Sequence, residues 1–274
     1  MNPESLPPGH SDDQGRTTGP VFRSHVHSMH AEVLGSNRTE GAPVFVLVHG
    51  LGMSSVYLMP TARLLAPHGQ VYVPDLPGFG RSGKPDHPLS IPELADALAG
   101  WMALHEPGPA VLIGNSLGAQ VIVDFAVRYP SLLTGVVLVS PTVDPAARTV
   151  TAQILRLVAD VWNEPPSLYW IGLTEYWRAG FHTILRTLRY ALVDPVIEKL
   201  PCIRVPALLV RGGRDPIVPQ SWIEQATRLI PGARLVVLPD AAHAVNYNSP
   251  HVLTDEILGF VEFSAKPREC FPAG

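Results

Sequence analysis

Short apolar runs rich in β-branched residues alternate along this chain with longer segments in which apolar positions recur at helical spacing. The runs predict strands buried on both faces and are APVFVLVHG, QVYVPDLPG, AVLIG, LTGVVLVSP, VPALLVRGG and ARLVVLPD. The periodic segments predict helices and are SSVYLMPTARLLAPHG, SIPELADALAGWMALH, residues 117–129, QSWIEQATRLIPG and SPHVLTDEILGFVEFSA. Ahead of them, FRSHVHSMHAEVLG alternates loosely and predicts an early strand or hairpin. Strands that alternate with helices indicate an α/β fold with a mostly parallel sheet and helices on both faces.

The alternation stops between residues 145 and 200, where the pattern is helical and contains no buried strand. We therefore expect this segment to be a helical insertion in a core formed by residues 21–144 and 201–265. Residues 1–20 are rich in Pro, Gly, Ser and Asp, which predicts a disordered tail. Residues 266–274 are interpreted as a C-terminal tail.

Composition narrows the class of protein. The chain has 274 residues, of which 46% are hydrophobic and 16% charged, and this suits one large α/β domain. A net charge of −4 gives no basic footprint for nucleic acid, and no apolar run reaches the length of a membrane span. No signal-peptide pattern is visible, and Cys202 and Cys270 lie far apart, as expected in a reducing compartment. These features predict a cytoplasmic protein with a small-molecule partner, no nucleic-acid or membrane partner, and an undetermined oligomeric state.

The segment GNSLG, residues 114–118, lies where a predicted strand becomes a predicted helix. Its G-x-S-x-G pattern is that of a nucleophile elbow, a sharp turn between small residues. Such a turn presents Ser116 above the carboxyl ends of parallel strands, where open sheets bind ligands. The following helix directs its positive end at the same place and favours a developing anion.

A serine hydroxyl is a poor nucleophile unless a base and an orienting acid assist it. His243 follows the last predicted strand and Asp215 follows the one before, so both lie at the sheet edge expected for Ser116. Asp144, after the preceding strand, is a second candidate for the acid, whereas Asp240 is interpreted as a turn residue. The glycine-rich segment LVHGLGMSS places the backbone N–H of Leu51 near that of Leu117, and two such donors stabilise an oxyanion.

The segments HGLG, PDLPGFGRSGKP, GNSLGA, GGRDPIVP and AAHAVNYNSP occur in this order, and the chain resembles the α/β-hydrolase superfamily over residues 43–264. The resemblance implies an eight-stranded, mostly parallel sheet with a helical cap inserted after the sixth strand, which the helical insertion would supply. It also implies that Ser116 is the nucleophile, His243 the general base and Asp215 the acid, with Leu51 and Leu117 at the oxyanion hole. His49 and Asp75 would support the loops around the site, and some relatives draw the acid from the position of Asp144.

The helical insertion is rich in aromatic residues. Four of them are predicted to line a substrate pocket, although packing of the helices onto the core is the competing interpretation: Trp162, Trp170, Tyr176 and Trp177. Three arginines are expected to be solvated, with the alternative that one receives a substrate carboxylate: Arg178, Arg186 and Arg189. Asn115 is expected to stabilise the serine turn, with contact to the substrate as the alternative.

No metal or cofactor is predicted. His25 and His27 share one face of the early strand, with His30 nearby, and a solvated strand face is favoured over a metal site. The sequence therefore predicts a serine hydrolase that cleaves a small or medium apolar carboxylic ester through an acyl-enzyme. One alternative is hydrolysis of a carbon–carbon bond in a dienoic diketone, although HAVNYN lacks the tryptophan that such enzymes often carry after the histidine. The other alternative is a small-molecule-binding protein without catalysis.

Overall fold

The computed structural model describes residues 22–23, 28–35, 41–105 and 107–265. The tails predicted at 1–20 and 266–274, and the residues His25 and His27, lie outside this range. Two short strands, β1 (Phe22–Arg23) and β2 (Ser28–Met29), pair as an antiparallel ribbon. The other strands are β3 (Ala31–Leu34), β4 (Val44–Val48), β5 (Gln70–Pro74), β6 (Ala110–Asn115), β7 (Leu133–Val139), β8 (Ala207–Gly212) and β9 (Arg234–Leu238).

These seven strands form one sheet in the order β3-β5-β4-β6-β7-β8-β9. All neighbours are parallel except β3, which runs antiparallel to β5 at the edge. The predicted α/β-hydrolase type of fold, with a mostly parallel sheet, is therefore confirmed. The carboxyl ends of β4, β6, β8 and β9 consequently meet along one edge of the sheet.

The sheet has seven strands in the described part of the chain, not the predicted eight. The segment predicted as an early strand or hairpin forms the ribbon of β1 and β2 and then β3. Only β3 joins the sheet, and residues just ahead of it bond to the loop after β5. The N–H of Gly83 donates to the carbonyl of Ser28 at 2.8 Å, and the N–H of His30 donates to Ser82 Oγ at 2.9 Å. The helical insertion accordingly follows the fifth strand of the sheet, β7, where the sixth was predicted.

Helices cover both faces of the sheet. The core helices are α1 (Met59–Leu65), α2 (Ile91–His105), α3 (Leu117–Arg128), α8 (Gln220–Leu229), α9 (Val245–Asn248) and α10 (Pro250–Ala265). Side chains of β4 alternate between two apolar cores. Val46 and Val48 pack in the core shared with α2, α3 and α8, whereas Phe45 and Leu47 pack in the core shared with α1 and α10. Burial of both faces explains why the central strands are continuous apolar runs.

The helical insertion, residues 145–200, contains α4 (Val150–Asp160), α5 (Pro166–Ala179), α6 (Phe181–Val193) and α7 (Val196–Lys199). Among the described residues, no helix combines the length and apolar character that crossing a membrane requires. The insertion leaves the core after β7 and returns to it at β8, so it connects two central strands next to the serine turn.

Candidate active site

Ser116 occupies the turn between β6 and α3 in a backbone conformation that residues with a side chain rarely adopt. Its φ is 58° and its ψ is −120°. The turn packs α3 so tightly that a Cβ on Gly118 would lie 2.3 Å from the carbonyl oxygen of Val48. A Cβ on Gly114 would lie 2.6 Å from the carbonyl of Gly118. Both glycines of the G-x-S-x-G pattern are thus required by close approach of the backbone.

His243 and Asp215 form a buried hydrogen-bonded pair beyond the ends of β9 and β8. His243 Nδ1 lies 2.8 Å from Asp215 Oδ2. The other carboxylate oxygen accepts the N–H groups of Ile217, at 2.8 Å, and Val218, at 3.1 Å. With the Nδ1 proton directed at the carboxylate, Nε2 of a neutral ring is free to accept a proton. In the described part of the chain no hydrogen bond joins Ser116 Oγ to His243, and such bonds often shorten only when substrate binds.

The charges around His243 oppose the effect of its burial. Burial alone would lower the pKa of His243, but the charge and hydrogen bond of Asp215, with smaller contributions from Asp160 and Glu164, raise it to about 9. Burial alone would raise the pKa of Asp215, but the charge of His243 and the hydrogen bonds to the carboxylate hold it below its ordinary value. The pair therefore favours an ionised acid beside a strongly basic imidazole.

The structure distinguishes the candidate acids by their contacts. Asp144 Oδ1 accepts the N–H of Ala146 at 2.9 Å, and its Oδ2 pairs with Arg156 at 2.7 Å. The side chain of Asp240 is almost fully exposed. Of these aspartates, only Asp215 contacts the imidazole of His243.

Asn115, next to Ser116, connects three loops. The hydroxyl of Tyr57 donates to Asn115 Oδ1 at 2.8 Å and accepts the N–H of Gly50 at 2.7 Å. Asn115 Nδ2 donates to the carbonyl of His243 at 3.1 Å. The sequence predicted that Asn115 stabilises its turn or touches the substrate, and it predicted no role for Tyr57. The bonds found here join residues that are distant along the chain, so no local pattern indicates them.

The two backbone N–H groups predicted for the oxyanion hole have no acceptor among the described residues. In the described part of the chain, neither Leu51 N–H nor Leu117 N–H donates a hydrogen bond to the protein. Leu117 is the first residue of α3, and the helix dipole adds partial positive charge there. The two donors have the character that an oxyanion hole requires.

His49 and Asp75 make the supporting contacts that the resemblance implies. Nδ1 of His49 lies 2.8 Å from the carbonyl of Gly50, and its Nε2 accepts the N–H of Leu76 at 2.9 Å. Burial lowers the pKa of His49 and favours the neutral ring that this pattern needs. The carboxylate of Asp75 accepts the N–H groups of Ser55 and Arg81 at 2.6 and 2.9 Å.

The prediction that three tryptophans line a substrate pocket is wrong for this structure. Trp162, Trp170 and Trp177 are 88%, 71% and 89% exposed, so they do not line an enclosed cavity. Helix α5 turns another stripe inward, which is formed by Leu168, Ile171, Glu175 and Ala179. Trp170 and Trp177 are on the outward side of this helix, and Trp162 lies in the turn before it.

Tyr176 is the one of the four predicted pocket residues that packs beside the site. A Cβ on Gly52 would lie only 1.8 Å from Cε1 of the Tyr176 ring, so the ring occupies the space above this glycine. Gly52 has a φ of +72° and directly follows Leu51. Tyr176 therefore covers the loop that carries one of the two free N–H groups.

The three arginines are exposed, although the partner of Arg178 is the buried Glu175, and His30 is partly buried on its strand. Arg178 pairs with Glu175 at 3.0 Å, the guanidinium of Arg186 lies 6.0 Å from the ring centre of Tyr190, and Arg189 is exposed. His30 lies 3.4 Å from Glu32 and 3.1 Å from Arg81. These contacts agree with solvated helix and strand faces.

Comparisons with a family pattern and with individual proteins identify the same family of hydrolases. The pattern that defines the alpha/beta hydrolase family matches residues 45–256. The chain is 26% identical over 245 residues to 2-(acetamidomethylene)succinate hydrolase of Mesorhizobium japonicum, covering 80% of this chain and 88% of that protein. It is 26% identical over 256 residues to pimeloyl-[acyl-carrier protein] methyl ester esterase of Xylella fastidiosa, covering 80% and 95%.

A solved structure supports the same assignment. A thermophilic esterase from Thermogutta terrifontis superimposes with a TM-score of 0.68 at 25% identity, covering 88% of this chain and 95% of that one. These similarities support a hydrolytic enzyme. The match over most of the sheet and the site shows that this chain belongs to the alpha/beta hydrolase family.

Proposed function

We propose that this protein is a serine hydrolase that cleaves a carboxylic ester through an acyl-enzyme. The observation that carries the proposal is the strained turn at Ser116, at the same sheet edge as the buried pair of His243 and Asp215. A strained nucleophile turn costs stability of about 1–3 kcal/mol, which a binding protein without catalysis has no need to retain.

The proposed reaction begins when Ser116 Oγ attacks the ester carbonyl carbon while His243 Nε2 takes the hydroxyl proton. The carbonyl oxygen becomes an oxyanion that accepts hydrogen bonds from the N–H groups of Leu51 and Leu117. His243 then gives its proton to the departing alcohol, and the acyl group stays on Ser116. In the second half, His243 takes a proton from water as that water attacks the acyl carbon. His243 then returns the proton to Ser116 Oγ as the bond to the acyl carbon breaks and the carboxylic acid leaves.

Asp215 contributes without exchanging a proton. Its carboxylate holds Nδ1 of His243 and stabilises the imidazolium that forms at each proton transfer. The two further N–H groups that it accepts keep the carboxylate oriented and ionised. The carboxylate of Asp144 accepts the N–H of Ala146 and pairs with Arg156, and we assign Asp144 no part in the reaction.

The proposed substrate is a small or medium apolar ester held between the serine turn and the helical insertion, which would act as a cap. Tyr176 supports this position for the insertion, because its ring packs on the loop of Leu51. The two curated relatives are named for different substrates, a substituted succinate and a carrier-bound methyl ester. Both names support hydrolysis, the second names an ester, and the substrate of this protein is left to be measured.

Labelling with a fluorophosphonate, followed by intact mass measurement, tests the proposal. Wild type should carry one adduct, and Ser116→Ala should carry none while retaining its circular dichroism spectrum. Ser131→Ala, which changes an exposed serine after α3, is the matched control and should be labelled like wild type. A folded wild type without an adduct, or undiminished turnover of p-nitrophenyl esters by Ser116→Ala, would overturn the assignment. A dienoic diketone assayed in parallel separates ester from carbon–carbon bond cleavage.

A further inference from the structure

A buried glutamate from the helical insertion contacts the chain immediately after His243. Glu164 lies between α4 and α5 and is only 8% exposed. Its Oε1 accepts the N–H of Ala244 at 2.6 Å, and its Oε2 accepts the side-chain amide of Asn248 at 3.0 Å. We call residues 239–249, between β9 and α10, the histidine segment. Glu164 thus contacts this segment at both ends of the short helix α9.

Further contacts fix the glutamate and the segment to each other. The hydroxyl of Tyr169 donates to the carbonyl of Glu164 at 2.9 Å, which anchors the turn that carries the carboxylate. Three residues further along both segments, the hydroxyl of Tyr247 donates to Ser167 Oγ at 3.0 Å. Three hydrogen bonds therefore join residues 164–167 of the insertion to the histidine segment.

The peptide unit between His243 and Ala244 is held from both sides. Its carbonyl, which belongs to His243, accepts Asn115 Nδ2 at 3.1 Å. Its N–H, which belongs to Ala244, donates to Glu164. One partner is adjacent to Ser116 in the core and the other belongs to the insertion. The orientation of this peptide sets the direction in which the side chain of His243 leaves the backbone.

We propose that Glu164 is a positioning residue that fixes the backbone of His243 from the helical insertion, so that the insertion and the proposed base form one unit. The proposal rests on the proposed function, in which the placement of the imidazole decides the rate. A displacement of about 1 Å in a reacting group can cost on the order of 100-fold in rate. The hydrogen bonds that hold the His243–Ala244 peptide are therefore expected to affect the rate of the reaction as well as the stability of the fold.

The carboxylate also acts through its charge. The charged groups that face His243 are Asp215, from the loop after β8, with Asp160 and Glu164 from the insertion. Asp160 is 4% exposed, and its burial, opposed by the charge of His243, raises its pKa to about 7. Because each negative charge favours the imidazolium, neutralising Glu164 is expected to lower the pKa of His243.

Two substitutions separate the contacts from the charge. Glu164→Ala removes both hydrogen bonds and the charge. Glu164→Gln removes the charge and keeps one oxygen that can accept the N–H of Ala244, while its NH2 group faces Asn248, whose amide has to turn and present its oxygen for that bond to be kept. Glu198→Ala, which removes an exposed glutamate of α7, is the matched control. The readouts are hydrogen exchange of a peptide covering residues 243–248, titration of the His243 ring by NMR, and p-nitrophenyl ester kinetics across pH.

In Glu164→Ala we expect faster exchange of the histidine segment and a loss of kcat/KM of roughly 10- to 100-fold, mainly in kcat. Glu164→Gln should retain the exchange protection and regain most of the activity, with the His243 titration and the acid limb of kcat/KM moved to lower pH. If Glu164→Ala does not fold, the ring titration of Glu164→Gln still tests the charge, and hydrogen exchange of Asn248→Ala, which removes the bond to Glu164 Oε2, tests the contact.

The inference is overturned if exchange of residues 243–248 and the titration of His243 in the Glu164 variants match those of Glu198→Ala. A failure of the proposed function is recognised separately, since it appears in the wild type as a missing adduct at Ser116. If the wild type carries no adduct and Glu164 still protects residues 243–248 from exchange, the contact exists but has no role in a reaction.

Discussion

The side-chain amide of Asn115 donates a hydrogen bond to the backbone carbonyl of His243 across 128 positions of the chain, at 3.1 Å. The residue before the proposed nucleophile therefore helps to hold the proposed base. The end of β6 therefore precedes the turn of Ser116 and also contacts the backbone of His243. This relationship makes Asn115 more than a residue that shapes the local turn.

We expect Asn115→Ala to lower kcat/KM of ester hydrolysis by about 10-fold. It should also lower the free energy of unfolding by about 1–3 kcal/mol, because the buried carbonyl of His243 and the hydroxyl of Tyr57 lose their partner. Steady-state kinetics and urea unfolding measure the two effects. Tyr57→Phe is the control, since it removes a hydroxyl from the same network but leaves the bond from Asn115 to His243. Equal kinetic losses in both variants would contradict a specific role for that bond.

Replacement of Ser116 separates its chemistry from its backbone strain. Ser116→Ala and Ser116→Gly should both lose about a million-fold in kcat, since the nucleophile is absent. Ser116→Gly should be more stable than Ser116→Ala by about 1 kcal/mol, because glycine adopts a φ of 58° without a clash of its Cβ. Chemical denaturation of the two variants gives the difference. Equal stability would mean that the turn stores no strain.

The two candidate acids should respond differently to the same substitution. Asp215→Asn is expected to lower kcat by about 10,000-fold, because the imidazole loses the carboxylate that sets its tautomer. Asp144→Asn should leave kcat within a few-fold of wild type and cost about 1 kcal/mol of stability through the weakened pair with Arg156. Ester turnover of the purified variants decides between them. The opposite ranking would assign the acid to Asp144.

The rate should depend on pH through His243. Only the neutral imidazole can take the proton of Ser116, and the neighbouring carboxylates raise the pKa of His243 to about 9. We therefore expect kcat/KM to rise with pH up to about 9 and to level off above it. In Asp215→Asn the strongest charge that favours the imidazolium is gone, so the residual activity should rise at lower pH. A plateau that begins near the ordinary pKa of histidine would show that the carboxylates exert little influence on the free enzyme.

The packing of the serine turn can be tested with alanine. A Cβ at position 118 would meet the carbonyl oxygens of Val48 and His49 at 2.3 and 2.7 Å, and backbone atoms of a central strand cannot move aside. We expect Gly118→Ala to lower the free energy of unfolding by about 3 kcal/mol or more. Gly100→Ala, at an open position within α2, should raise it by about 0.5–1 kcal/mol. Urea unfolding measures both. A stability for Gly118→Ala near that of wild type would contradict the close approach.

Local information was sufficient for the elements of the fold and for the turn at Ser116. Runs such as VFVLV are strands because burial on both faces requires continuous apolar residues, and this requirement is visible within a few positions. The spacing of Gly114, Ser116 and Gly118 likewise reports a steric condition between neighbouring residues. The early strand or hairpin was predicted, but the expected eighth strand was not found, because residues 28–30 bond to a loop some fifty positions away.

The surroundings of the site depended on contacts that no local pattern records. Asp215 and Asp144 both follow central strands, and only the folded chain directs one of them at His243. The tryptophans of the insertion have the composition of a pocket, but the inward stripe of α5 leaves two of them facing solvent. The sequence by itself thus determined the α/β fold, the serine turn and the candidate His243, since these follow from periodicity and short spacing. Tertiary structure alone decided which groups hold the backbone of His243, because the bond donated by Asn115 and the bond accepted by Glu164 form only when distant segments meet.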